Sequence, residues 1–153
     1  MTVDLYLSAQ SAKYINFHIV SGKISFNRPI GAIILGALHR EDPAQKRKAV
    51  FELPHRVEIE LPKTHRASIQ VNTNNNYYWI PPIAMRQVDE SIKRLIKYEM
   101  LVALEYNKNR EQKQVIVELM DKYDLEDNDI SIDALIKFAW RNRGKQDVLM
   151  IGT

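Results

Sequence analysis

Two clusters of cations carry the clearest chemical potential in this chain. Lys137, Arg141, Arg143 and Lys145 fall within residues 134–145, a span that contains no acid. Lys46, Arg47 and Lys48 form the second cluster, with Arg40 before it and Arg56, Lys63 and Arg66 after it. Cations at such density suit phosphate contact, which adds sequence-independent and salt-sensitive affinity. Tyr77, Tyr78 and Trp79 follow the second cluster, and aromatic residues beside basic ones suit single-stranded nucleic acid. Structural roles compete with both readings. Bases near a helix C-terminus complement the macrodipole, Trp140 falls on an apolar stripe that reads as core, and residues 41–48 read as a solvated loop.

Other chemistries find less material. The chain has no cysteine, so thiolate metal sites, disulfides and thiol nucleophiles are excluded. Its histidines are His18, His39, His55 and His65. His55 and His65 flank Glu58 and Glu60, but no His-x-His or His-x-x-x-His spacing occurs, so no metal is expected. No Gly-x-Ser-x-Gly, phosphate loop or dinucleotide fingerprint is present. The acidic pairs Asp89-Glu90 and Asp127 with Asp129 read as cap and macrodipole residues at helix starts rather than as an acid/base pair. Asp121 to Asp129 holds five acids in nine residues. The sixth loop position is not Gly and the twelfth is Ile132, so this is not an EF-hand. A non-enzymatic protein without a cofactor is expected.

These residues need elements to hold them. Val3, Leu5 and Leu7 alternate with Asp4 and Tyr6, which predicts a first strand over 2–7. Ser8 is placed to cap a helix over 9–15. Lys23–Phe26 reads as a strand, Ile30–Leu38 as a short buried helix and Ala67–Asn72 as a further strand before the turn-prone run 72–76. Val57, Ile59 and Leu61 alternate with Arg56, Glu58 and Glu60 between Pro54 and Pro62, the clearest strand in the chain. From Pro82 the period becomes helical. Val88, Ile92, Leu95, Ile96, Val102, Ala103 and Tyr106 predict a helix of about 24 residues ending before Asn107. A second helix is predicted over 110–123, with Val115, Ile116, Leu119, Met120 and Tyr123 inward. A third starts after Asp129 or Ser131 and ends at Gly144, with Ile132, Leu135, Ile136, Ala139 and Trp140 inward. The expected architecture is α+β: a small mixed region over 1–83 with three or four strands, then a helical region over 84–153 built on a three-helix unit and sharing one core with the first.

Composition sets the class. Of 153 residues, 45% are hydrophobic and 27% charged, with a net charge of +3, which describes a folded globular chain rather than a disordered one. Residues 1–83 hold ten Lys/Arg against six Asp/Glu, and residues 84–153 twelve against thirteen. The longest apolar run, Ile30 to Leu38, is too short for a bilayer, which needs about 20 residues. Met1-Thr2-Val3-Asp4 has no basic leader region. A cytoplasmic protein with no membrane partner is expected. Residues 121–133 carry six acids and one Lys, and the basic span follows at once. The acidic, glycine-free stretch from Asp124 to Ser131 is too long for the turn of a helix-turn-helix.

The stretch Tyr123-Asp124-Leu125, then Asp129-Ile130-Ser131-Ile132-Asp133-Ala134-Leu135-Ile136-Lys137-Phe138-Ala139-Trp140-Arg141-Asn142-Arg143, resembles the C-terminus of uncharacterised proteins of bacterial phages and mobile elements. The likeness covers roughly 20 residues. It implies an accessory protein acting in nucleic-acid transactions or particle assembly, and it assigns no residue a role. The expectation is nucleic-acid binding through Lys137, Arg141, Arg143, Lys145, Lys46, Arg47 and Lys48. The competing expectation is an assembly protein that self-associates or docks a partner through the apolar tail Val148–Ile151 and the proline-bounded strand.

Overall fold

The computed structural model describes residues 2–19, 28–61 and 78–142. The expected strands at 23–26 and 67–72, the turn at 72–76, His65, Arg143, Gly144, Lys145 and the tail 148–151 lie outside them. The chain is α+β, with short antiparallel strands in its N-terminal part and helices after them. It divides into two compact units, Met1–Ile92 and Lys93–Thr153.

In the first unit, β1 (Thr2–Leu7) pairs antiparallel with β3 (His55–Glu60) in the register Val3↔Ile59 and Leu5↔Val57. Alternation turns Val3, Leu5, Leu7 and Ile59 into the core, and Leu61 beyond the strand is buried as well. The opposite face places Asp4 directly across from Glu58. Like charges in that register repel, and Arg56 relieves them, its guanidinium 2.8 Å from Asp4 and 3.4 Å from Glu58. Bonding and attraction to Asp4 raise the Arg56 pKa above its usual value.

Between these strands lie α1 (Ala9–His18), α2 (Pro29–Ala37), β2 (His39–Arg40) and α3 (Pro43–Lys48). α2 is the expected buried helix, entered at Pro29, whose missing N–H costs nothing at a first helical position. α3 corrects the expectation of a loop over 41–48. Asp42 caps it, its Oδ1 accepting from the N–H groups of Ala44 (3.0 Å) and Gln45 (3.4 Å), and Pro43 opens it. The helix buries no residue, so no apolar period announced it; Asp42 and Pro43 are the marks of it that the sequence reading passed over. β4 (Tyr78–Trp79) pairs with β2, and both of its residues are buried.

Ser8 stands at the N-cap of α1, but its side chain makes no cap bond to that helix. Asp89 supplies the carboxylate instead. Asp89 is 2% exposed, and its Oδ1 accepts from the Ser8 N–H at 3.0 Å and the Ser8 hydroxyl at 2.8 Å. The Ser11 hydroxyl lies 3.4 Å from the Asp89 carbonyl oxygen. This corrects the reading of Asp89-Glu90 as acids serving their own helix start. Asp89 lies well inside α4 (Pro82–Tyr106) and serves the start of α1, where the dipole favours a negative charge.

α4 matches the predicted long helix, with Val88, Ile92, Ile96, Met100 and Leu101 buried. Tyr106, expected on its inward stripe, is exposed in the last turn. The second unit continues with α5 (Gln112–Lys122) and α6 (Ile132–Arg141). Val115, Ile116, Leu119, Met120 and Tyr123 are buried as expected. The Tyr123 hydroxyl donates to the Glu99 carboxylate at 2.5–2.6 Å, and the Lys122 ammonium reaches Glu99 at 3.0 Å.

α5 ends without glycine. The Leu125 N–H donates to the Met120 carbonyl at 2.8 Å and the Asp124 N–H to the Asp121 carbonyl at 3.2 Å, while Asp124 takes a left-handed φ of 56°. These bonds form a Schellman motif, and the buried Leu125 supplies its apolar contact position. Aspartate tolerates that conformation better than most side chains. The acidic run then caps backbone. Asp129 accepts from the Glu126 N–H (2.8 Å), Asp127 from the Ile132 N–H (3.0 Å) and Ser131 from the Ala134 N–H (3.3 Å). Among the described residues no group of three or more acids or histidines is placed to hold a metal. No helix among them is long and apolar enough to cross a membrane.

Candidate functional site

α6 presents one face to the interior and one to water. Leu135 and Ala139, four residues apart, are buried, and Ile132, Ile136 and Phe138 flank them half-buried. At about 100° per residue, Lys137 stands opposite that stripe, with Arg141 about 40° to one side and Trp140 about 60° to the other. Lys137 and Arg141 are exposed, and Trp140 is 70% exposed. The expectation that Trp140 belongs to the core is therefore wrong. It follows Leu135 by five residues, or about 140° around the helix, which carries it off the stripe that its neighbour Ala139 occupies.

No acid is paired with Lys137 or Arg141 among the described residues. Asp133 shares their face, one turn and about 6 Å along the axis before Lys137, and eight residues, about 12 Å, before Arg141. Only the second distance exceeds the screening length of about 8 Å at physiological salt, so Asp133 offsets part of the Lys137 charge and leaves Arg141 clear. The flank of the helix is fixed by Lys97, whose ammonium lies 5.1 Å from the centre of the Phe138 ring. At the C-terminal end the Asn142 amide donates to the Phe138 carbonyl at 2.8 Å, closing the last turn. Arg143 and Lys145 follow in the sequence.

The second basic cluster sits on α3 in the first unit. Lys46 is ion-paired with Glu41 at 3.2 Å, and the Arg47 Nε donates to the Pro43 carbonyl at 3.2 Å. Lys48 is exposed at the helix end. Of this cluster's charge, one cation is neutralised and a second is engaged with its own helix, so α3 offers less to a polyanion than α6 does. Trp79 and Tyr78, proposed as aromatic neighbours of this cluster, are buried and present no ring to a ligand.

Among the described residues, His55 and the carboxylates of the candidate cluster do not converge. His55, at the start of β3, is three residues from Glu58 and five from Glu60, and strand alternation puts it on the opposite face from both. A cleft of about 110 Å³ does exist in the first unit, lined in part by Tyr6, Phe51, Glu52, Ile83, Met85 and Arg86. Tyr6 and Phe51 stack there at 4.5 Å, Arg86 pairs with Glu52 across the rim, and Val50 and Ile83 stand exposed beside it. Neither His55 nor Glu58 lines it. Sequence reasoning missed this cleft because its walls come from Tyr6, from residues 50–53 and from the first turns of α4, none of which forms a motif.

Compared with known proteins, the chain matches no family model, no curated protein and no solved structure.

Proposed function

We propose that this protein is a non-enzymatic, cytoplasmic accessory protein of a phage or mobile element that binds nucleic acid through the outer face of α6. The reading rests on one observation: Lys137 and Arg141 stand exposed beside Trp140 on a face that packing does not use. Two cations and those that follow at Arg143 and Lys145 outweigh the partial negative charge of about half a unit that a helix C-terminus carries. Phosphate contact would be electrostatic, and its strength would fall with salt. Lys46, Arg47 and Lys48 would add a minor contribution.

Titration of a labelled 30-mer, as duplex and as single strand, at 50 and 200 mM salt tests this. Each phosphate neutralised contributes about 0.7 to the salt slope for a single strand and about 0.9 for a duplex. K137A/R141A should therefore flatten the slope by about 1.4 to 1.8. The triple alanine variant of Lys46, Arg47 and Lys48 should flatten it by less. No binding at 50 mM salt, or an unchanged slope in K137A/R141A, would refute the reading.

A second reading, assembly by self-association, is favoured by the first unit. Val50 is 73% and Ile83 77% exposed beside the Tyr6–Phe51 cleft, and apolar residues grouped at a cleft mark contact surfaces.

A further inference from the structure

We infer that Trp140 is a stacking platform for an unpaired base, which makes single-stranded nucleic acid the ligand class of the α6 face. This rests on the proposal that the face binds a polyanion, and it adds what the cations alone do not specify. Lys137 and Arg141 would attract any phosphate polymer. The indole beside them discriminates. Leu135 and Ala139 fill the inner side of α6, so the fold has no packing use for Trp140, and 70% of it faces water. An exposed ring between a lysine at i−3 and an arginine at i+1 is the pairing of apolar plane and backbone cations that single-strand binders use. A duplex hides the faces of its bases within the stack, and an indole on a convex helix cannot reach them. A single strand offers a face at every nucleotide.

An exposed tryptophan with basic neighbours also suits a lipid surface. The rest of α6 argues against that. An interfacial helix needs a broad apolar face turned outward, and here the apolar face is buried. Trp140 is the one large apolar side chain of α6 on the outer side, with Asp133 about two turns before it.

Fluorescence provides the test, because the two tryptophans report separately. Trp79 is 7% exposed and belongs to the first unit, whereas Trp140 is open. Oligo(dT), oligo(dU) and oligo(U) should each quench the emission, and a preference between oligo(dU) and oligo(U), which carry the same base, identifies the sugar. Heparin, a polyanion without bases, should bind without quenching. W140A should weaken oligo(dT) binding by about five- to a hundred-fold, W140F should restore part of the loss, and neither should alter the circular dichroism spectrum or heparin affinity. If oligonucleotides and heparin bind alike and W140A changes neither, the phosphate reading stands and the stacking proposal falls. If nothing binds at low salt, both fall. If duplex binds at least as tightly as oligo(dT), or if phosphatidylserine vesicles shift the emission to the blue while oligo(dT) leaves it unchanged, stacking on an unpaired base is overturned.

Discussion

Replacing Asp89 tests whether a carboxylate from α4 holds the start of α1. Its Oδ1 receives both the N–H and the hydroxyl of Ser8 at 2.8–3.0 Å, and the residue is 2% exposed. Asp89→Ala leaves two donors in a partly buried site without that acceptor. An unsatisfied buried group costs about 1–3 kcal/mol. Ser8 is itself half-buried, which places each loss in the lower part of that range, and the expected total is about 2–4 kcal/mol. Asp89→Asn keeps an oxygen in place. It loses the extra strength of a charge-assisted bond and the dipole contribution of about 0.3–1 kcal/mol, and regains the cost of burying a charge, so about 1 kcal/mol is expected. Urea denaturation followed by circular dichroism gives both values. A cycle with Ser8→Ala isolates the hydroxyl bond, and a coupling of about 1 kcal/mol is expected for residues in direct contact. Asp89→Ala within 0.5 kcal/mol of the parent, or a coupling indistinguishable from zero, would refute the assignment.

Two further expectations concern charge and surface. Hydrogen bonding by the Arg110 guanidinium, which holds both oxygens of Glu118 with one contact at 2.9 Å, lowers the Glu118 pKa. A depressed carboxylate contributes stability above its unfolded pKa of about 4.3 and loses it as pH falls through the folded value. Urea midpoints between pH 3 and 6 should show a small acid-side loss that Glu118→Gln removes; an identical profile in that variant would count against the pair. Under the assembly reading, light scattering should show a defined oligomer that Ile83→Glu returns to a monomer, and a monomer at every concentration would end that reading.

Periodicity made legible whatever is repeated along the chain. The stripe from Val88 to Leu101 announced α4, and the alternation in 3–7 and 57–61 announced β1 and β3, because each buried side chain has a regularly spaced companion. α3 was hidden because it buries nothing, and only Asp42-Pro43 marked it. Trp140 was misplaced because an apolar residue next to a buried one reads as a widening of the stripe, whereas 100° of rotation per residue separates them. The cations of α6 were visible as composition, but which acids reach them depended on where Asp127 and Asp129 direct their oxygens, toward backbone N–H groups, and on Asp133 sharing their face. The bond from Asp89 to Ser8 joins residues 81 apart in sequence, and no local pattern encodes such a pairing.

The order of charge around α6 has a kinetic consequence. Carboxylates gather ahead of the helix and ammonium and guanidinium groups toward its end, about 15 Å away. At 0.01 M ionic strength the screening length reaches about 30 Å, so under the proposed function an approaching strand would feel both poles at once. It would be turned during the encounter, repelled from one pole and drawn to the other. Physiological salt shortens that reach to about 8 Å, and the poles then act one at a time. Under that proposal the arrangement would speed productive collision in dilute buffer more than it would strengthen the bound state.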